Sequence, residues 1–127
     1  MQATKQQIED ILQTIRLYEQ GHAANDFEML EQAFHPKACV VGHYDGEMMF
    51  AQRDEYLEIL RDDPEPDPKG DQPELKVRSM DVVGDTAVVT VESIMVGTKF
   101  TSHLSLIQNG ARWQIVNGLF YASPPNQ

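Results

Sequence analysis

The segment KFTSHLSLIQNGARWQIVNGLFY, residues 99–121, carries the clearest structural pattern in the chain. Lys99 to Gln108 alternates in side-chain character, which is typical of a strand with two different faces. Asn109-Gly110 is a preferred dipeptide of two-residue hairpin turns, so Arg112 to Tyr121 is predicted to return as a paired strand. One predicted face of the first strand carries Phe100, Ser102, Leu104 and Leu106, and the other carries Thr101, His103, Ser105 and Ile107.

Two more predicted strands precede this hairpin. Leu75–Val83 and Thr86–Val96 are rich in β-branched residues, and turn signals close them at Gly84-Asp85 and at Gly97. The second half of the chain is therefore predicted to be a series of antiparallel hairpins.

The first half of the chain begins with helical periodicity. Apolar residues recur at helical spacing from Ile8 to Tyr18, and Thr4 with Gln7 forms a capping-box pattern. These features predict a helix over about residues 4–23. Further along, the sequence predicts a short helix from the N-cap candidate Asp26 that Pro36 stops, strands at Lys37–Tyr44 and Glu47–Phe50 joined by Asp45-Gly46, and a third helix over Arg53–Arg61.

Together these elements predict an α+β domain in which a cone-shaped, curved antiparallel sheet wraps around three N-terminal helices. The chain of 127 residues (14.4 kDa) is predicted to be a single domain, residues 1–127, because neither half could bury its apolar face alone. Residues 62–74, DDPEPDPKGDQPE, are predicted to form an acidic, proline-rich surface loop. The alternative for this loop is a lid over a pocket at the open end of the cone.

Composition excludes several classes of function. The net charge of −10 argues against nucleic acid and anionic membranes as partners. The single Cys39 excludes an intrachain disulfide, and the four histidines lack the short spacings of metal sites, so no metal is expected. Neither a phosphate-binding glycine loop nor a nucleophile elbow is present, and no cofactor is predicted. The N-terminus lacks an apolar signal-peptide core, which predicts a cytoplasmic location.

Two sets of residues, in this order and spacing, carry a family resemblance. The first half reads Tyr18-x-x-Gly21…Asp26…Leu30…Phe34-His35-Pro36-x-Ala38, and the second reads Phe100-Thr101-Ser102-His103-Leu104-Ser105-Leu106 and then Trp113-Gln114-Ile115-Val116-Asn117. Over about residues 5–121 the chain resembles the nuclear-transport-factor-2-like superfamily. Within that superfamily it resembles the lumazine-binding branch, which is related to polyketide-cyclase-like and ketosteroid-isomerase-like proteins. The resemblance implies a cystatin-like α+β cone, a homodimer formed by sheet faces, and a pocket inside the cone.

This superfamily hosts enzymes and proteins without known chemistry, so the fold does not give the function. The isomerase branch uses a tyrosine and a protonated aspartic acid as hydrogen-bond donors and a second carboxylate as base. By resemblance, the tyrosine position is Tyr18, the base position is Gly42, and the second donor position is Ser102. Steroid isomerisation by that mechanism is therefore not expected. A one-residue shift would put His43 at the base position, on the opposite face of the strand unless a bulge redirects it.

Four histidines and polar residues remain as candidates. Tyr18 and His22 share one face of the first helix, so both are predicted to bind a ligand, although His22 could instead bond the last helical carbonyls. Ser102 is predicted to face the pocket, and His103, which alternates with it, is assigned to the dimer interface. His35 is assigned a local capping role beside Pro36.

The last strand leaves two orientations open. Alternation groups Asn117 with Trp113 and Ile115, whereas the isomerase resemblance directs Val116, Gly118 and Phe120 to the pocket. The two agree only if a bulge intervenes. Asn117 and Phe120 are both kept as ligand-binding candidates.

The leading hypothesis is a homodimeric module that holds a small, mainly apolar molecule in the cone, with or without chemistry of its own. The first alternative is a proton-transfer enzyme of the isomerase, cyclase or dehydratase type. In it, His43 or His22 is the base and Tyr18 is the acid or oxyanion donor. The second alternative is a protein-interaction module that uses the sheet face. It ranks last because the sequence shows no long exposed apolar stripe.

Overall fold

The computed structural model describes residues 3–44, 46–62, 75–95 and 98–123, which form three helices and six strands. Asp45 of the predicted hairpin turn and residues 63–74 of the predicted acidic loop lie outside this described part. In chain order the elements are α1 (Lys5–Ala24), α2 (Phe27–Ala33), β1 (Phe34–Tyr44), β2 (Glu47–Gln52), α3 (Arg53–Asp62), β3 (Lys76–Val83), β4 (Thr86–Met95), β5 (Thr98–Asn109) and β6 (Arg112–Ser123).

The helix ends confirm the capping signals. The Thr4 hydroxyl accepts from the Gln7 backbone N–H at 3.0 Å, and the Gln7 side chain accepts from the Thr4 N–H at 3.0 Å. α1 ends at Asn25, which adopts a left-handed conformation with φ of 50°. Asp26 then caps α2 by accepting from the Met29 N–H at 3.2 Å. Two helices are thus separated by only two residues, which fixes α2 against the end of α1.

β1 begins three residues earlier than predicted. Phe34 already pairs with Ile115 of β6, and the register then shifts before Cys39 pairs with Asn117. Pro36 falls inside this irregular segment, where its missing N–H removes no regular ladder bond. A proline that stops a helix can therefore still lie within the strand that follows.

The sheet is mixed rather than wholly antiparallel. Its strand order is β2-β1-β6-β5-β4-β3. Each neighbouring pair is antiparallel except β1 with β6, which run parallel. Between β1 and β6 the chain passes through α3 and four other strands, so this contact is a long crossover that hairpin signals do not predict. The α+β class and the curved sheet around three helices are as predicted.

One face of the sheet packs against the helices and forms the core. On β5, Ser102, Leu104 and Leu106 are buried, while His103 and Ile107 are exposed, as the alternation predicted. We call the helix-covered side the inner face and the opposite side the outer face. The core includes Ile11, Ile15, Leu30 and Leu57 from the helices and Val40, Val89, Val91, Leu104, Leu106 and Ile115 from the strands.

A bulge in β6 decides which residues share the inner face. Asn117 pairs with Ser105 and Ile115 pairs with Leu106, so Val116 is an extra residue in β6. Beyond the bulge, Gly118 lies opposite Leu104 on the inner face. Asn117, paired with Ser105, therefore lies on the outer face. The prediction that Asn117 binds a ligand inside the cone is wrong, because the extra residue reverses its orientation.

Within the described ranges, no helix combines the length and apolar character needed to cross a membrane.

The last residue before β3 is fixed to α1, because the Leu75 N–H donates to the Glu19 carboxylate at 3.1 Å.

Candidate functional site

Four polar side chains from three elements meet above the inner face of the sheet. Tyr18 and His22 come from α1, Tyr56 comes from α3, and Ser102 comes from β5. We call these four residues the tyrosine–histidine cluster. The rings of Tyr18 and His22 lie 4.5 Å apart between centroids, and those of His22 and Tyr56 lie 6.0 Å apart. Phe34 packs edge-on against both tyrosines, with centroids 5.9 and 6.0 Å away.

His22 makes two hydrogen bonds that determine its tautomer. Its Nδ1 lies 2.8 Å from the Tyr18 backbone carbonyl, and its Nε2 lies 2.7 Å from the Tyr56 hydroxyl. A carbonyl oxygen can only accept, so Nδ1 carries the proton and donates. In the neutral ring Nε2 is then an acceptor, and the Tyr56 O–H donates to it. Burial lowers the pKa of His22, which favours this neutral form, although the bond to the Tyr18 carbonyl opposes the shift.

Both tyrosines of the cluster remain protonated. Burial raises the pKa of Tyr18, and a hydrogen bond with the Ser102 side chain opposes that shift. The protonated Tyr18 hydroxyl can donate a hydrogen bond to an acceptor on a ligand. Burial also raises the pKa of Tyr56, and the neighbouring Tyr18 adds to the shift.

Phe120 covers the position where the isomerase resemblance would place a base. Gly42, Phe120 and Ser102 lie side by side across β1, β6 and β5. A Cβ atom at Gly42 would lie 2.4 Å from the Phe120 carbonyl oxygen and 2.7 Å from its ring. This position has no room for a carboxylate side chain. Phe120 itself is on the inner face beside Ser102, as the resemblance implied.

Aromatic rings extend from Phe120 toward the end of the sheet. The Phe100 ring lies 6.2 Å from that of Phe120, and Tyr44 lies parallel to Phe100 at 6.1 Å with an interplanar angle of 6°. Tyr44 is half exposed. The inner face therefore changes from the polar cluster at Tyr18 to an apolar aromatic wall within a few residues.

His43 does not join the cluster. It is exposed, and its neighbours across the sheet are Met48 and Tyr121. The pairing of β1 is regular from Cys39 to His43, so no bulge redirects the side chain toward the inner face occupied by Gly42. This corrects the predicted pairing of His43 with Tyr18 as a catalytic base.

His103 lies on the outer face, as predicted. Its Nδ1 is 3.1 Å from the Thr90 hydroxyl, and its neighbour on β6 is Leu119. Large apolar side chains are exposed on the same face: Met48 at 63%, Phe50 at 67% and Leu119 at 48%. The expectation that no exposed apolar stripe exists is therefore wrong, because its members come from separate strands.

His35 has a local contact. Its Nδ1 accepts from the Lys37 backbone N–H at 3.0 Å, within the irregular start of β1. In the described part of the chain, no three His, Cys, Asp or Glu side chains are grouped so that they could hold a metal ion.

Tyr56 is the member of the cluster that sequence reasoning missed. Helical spacing places Tyr56 on the same side of α3 as Leu57 and Leu60, a pattern that indicates packing and not a hydrogen bond. Its hydroxyl meets His22 across 34 residues of sequence, so no local spacing could show the contact.

Comparison with known proteins identifies the family. Residues 6–121 match the model of the family described as "Putative lumazine-binding". The chain belongs to this family. An aldolase, FrzH, from a Cladobotryum species is 23% identical over 123 residues, which covers 95% of each chain.

Two solved structures support the same fold. An NTF-2 like protein of unknown function from Silicibacter pomeroyi is 28% identical, with a TM-score of 0.82 over 96% of this chain and 100% of that chain. An NTF2-like protein of unknown function from Methylobacillus flagellatus is 21% identical, with a TM-score of 0.84 over 97% of each chain. The predicted resemblance to the nuclear-transport-factor-2-like superfamily is confirmed.

Proposed function

We propose that the protein binds a small, mainly apolar molecule inside the cone, with its polar end at the tyrosine–histidine cluster. The observation that carries this proposal is the Tyr18–Ser102 hydroxyl pair, placed beside the Phe120 ring on the inner face. The description of the family, which names lumazine binding, also supports a small-molecule ligand.

The composition of the inner face sets the ligand class. Covering apolar surface with a ligand lowers the free energy of the system. Burying a polar group raises it unless that group is hydrogen-bonded. A ligand with an apolar body would pack against Phe100 and Phe120, and a carbonyl oxygen would accept the Tyr18 proton. The cluster itself is neutral and the chain carries a charge of −10, so anionic ligands are disfavoured.

A dye-binding experiment with matched serine variants tests this proposal. N-phenyl-1-naphthylamine is a neutral apolar dye whose fluorescence rises in apolar sites. Ser102→Leu fills the inner face, and Ser105→Leu places the same side chain on the outer face of the same strand. We expect wild type and Ser105→Leu to bind the dye, and Ser102→Leu to bind it at least about tenfold more weakly. Equal dye binding by all three proteins would contradict the proposed location.

A second candidate function is proton transfer, favoured by the 2.7 Å bond between His22 and Tyr56 and by the aldolase relative. In this proposal Tyr18 donates to a substrate carbonyl oxygen, and His22 accepts a proton through Tyr56. The same groups suit isomerase, cyclase, dehydratase or aldolase chemistry. Deuterium exchange next to the carbonyl of simple ketones, followed by NMR in D₂O, is expected to be faster with wild type than with Tyr18→Phe. Equal rates would rule out this candidate.

The outer face supports a homodimer as the assembled form. Met48, Phe50 and Leu119 expose apolar surface next to His103, and such surface is typical of interfaces. The predicted interface role of His103 agrees with this position. In the proposed dimer the two outer faces pack together and both cones remain open.

A further inference from the structure

We propose that Tyr56 acts toward the bound molecule as a hydrogen-bond acceptor, so that the site selects neutral ligands with an N–H or O–H donor next to a carbonyl oxygen, as in lactams. The inference rests on the proposed small-molecule function and adds the ligand class.

The hydrogen bonds of His22 carry the argument. The Tyr18 carbonyl accepts a hydrogen bond from the Nδ1–H group at 2.8 Å, so in the neutral ring Nε2 carries a lone pair. The Tyr56 hydroxyl lies 2.7 Å from this lone pair and has only one proton to give. The Tyr56 hydroxyl donates that proton in its hydrogen bond to His22. The Tyr56 oxygen keeps its acceptor capacity, and a ligand can engage it only by donating.

Tyr18 has the complementary role. Burial raises the pKa of Tyr18, so its hydroxyl keeps its proton and can donate it in a hydrogen bond to a ligand acceptor. The two tyrosines flank His22 and both pack on Phe34, so their hydroxyls belong to one polar cluster. The cluster thus offers one donor and one acceptor in a mainly apolar environment. A molecule that presents the reverse pair, a carbonyl beside an N–H, satisfies both groups at once.

A ligand that lacks the donor would leave the acceptor lone pairs of the Tyr56 oxygen unused, while its proton stays hydrogen-bonded to His22. Unsatisfied buried polar groups reduce binding more than the loss of a neutral contact does. Selectivity for the donor should therefore depend on Tyr56 and on the tautomer of His22, and not on the apolar body of the ligand.

A pair of fluorescent probes tests the ligand class. 2-Quinolinone has a carbonyl next to an N–H, and N-methyl-2-quinolinone has the same rings without the donor. We expect wild type to bind 2-quinolinone about tenfold more tightly than its N-methyl form. Tyr56→Phe should lose this difference, and Tyr121→Phe on the outer face should retain it. Equal affinities of wild type for the two probes would overturn the inference while leaving the small-molecule proposal intact.

The second measurement is the ¹⁵N NMR spectrum of the His22 ring at neutral pH, which needs no ligand. The inference requires a neutral ring with its proton on Nδ1. A proton on Nε2, or a charged ring, would overturn it, because Tyr56 could not then donate to His22. If neither quinolinone binds, the assigned ligand class is wrong, and the dye experiment on the serine variants decides separately whether the cone binds any molecule.

Discussion

At the scale of single residues, position 42 requires glycine because Phe120 lies directly against it. A Cβ atom there would lie 2.4 Å from the Phe120 backbone carbonyl, whereas a Cβ at Gly118 would meet only the end of the Leu104 side chain at 3.4 Å. We predict that Gly42→Ala lowers the free energy of unfolding by about 2 kcal/mol. Gly118→Ala is expected to change it by less than about 1 kcal/mol. Urea denaturation measures both, and equal effects would contradict the close contact.

The tautomer of His22 has a consequence for the pH dependence of stability. Burial lowers the pKa of His22 in the folded protein below its ordinary value of 6.5. As pH falls, the unfolded chain therefore takes up this proton first, and the free energy of unfolding decreases below that ordinary pKa. Above it, the contribution is fully present.

We predict that the free energy of unfolding of His22→Gln falls less than that of wild type when pH is lowered from about 7.5 to about 5.5. Urea denaturation across this range measures the difference. His103→Gln, on the exposed outer face, is the control and should keep the wild-type slope. The account of His22 as a neutral buried ring fails if His22→Gln and wild type have the same slope.

At the scale of elements, two arginines hold the end of α2. Arg112 donates to the Gln32 carbonyl at 2.9 Å, and Arg53 donates to the Glu31 carbonyl at 3.3 Å. These carbonyls belong to the last turn of a seven-residue helix, where helical partners are missing. The C-terminal end of α2 therefore depends on donors from α3 and β6.

We predict that Arg112→Ala lowers the free energy of unfolding by about 1 kcal/mol, because it removes a charged donor from this end. Arg78→Ala is the matched control, since Arg78 is exposed and bonds only Glu92 at the surface in the described structure. Its effect should stay below about 0.5 kcal/mol. Equal losses in chemical denaturation would show that the contact of Arg112 adds nothing beyond a surface charge.

The bulge at Val116 shows where element prediction from sequence stops. The strands, the helices and the capping box of α1 follow from local periodicity and turn chemistry, and the element bounds agree with the structure to within about three residues. Alternation is also local, and a single extra residue reverses it, so the orientation of Asn117 that the sequence leaves open is decided only by the bulge. The parallel pairing of β1 with β6 and the contact of Tyr56 with His22 join distant segments. No local sequence pattern predicts either of these two contacts.

At the scale of the whole molecule, the apolar outer face predicts self-association. Leu119 lies near the middle of this face and is 48% exposed, so a lysine there would place a charge in the proposed interface. We predict a dimer for wild type and a monomer for Leu119→Lys in size-exclusion chromatography with light scattering. Val83→Lys is the control, because Val83 is more exposed but ends the edge strand β3. A monomeric wild type would contradict the dimer.

The candidate site was predictable from the sequence only in part. Tyr18, His22, Ser102 and Phe120 were found through helical spacing, strand alternation and the family resemblance, and the structure brings them to one region of the inner face. A catalytic role for His43 required a bulge that the regular β1 lacks, and a ligand contact for Asn117 required the simple alternation that the bulge in β6 breaks. The ligand itself is not encoded in any of these patterns, because the same fold holds many different molecules.

Native mass spectrometry of the protein as purified from its expression host shows whether a small molecule is bound at the tyrosine–histidine cluster. Wild type and Ser105→Leu are predicted to carry an additional noncovalent mass that is released on denaturation, and Ser102→Leu is predicted to carry none. Such a result would place a small molecule against the inner face beside Tyr18. The same added mass on all three proteins, or on none of them, would contradict a ligand at the tyrosine–histidine cluster.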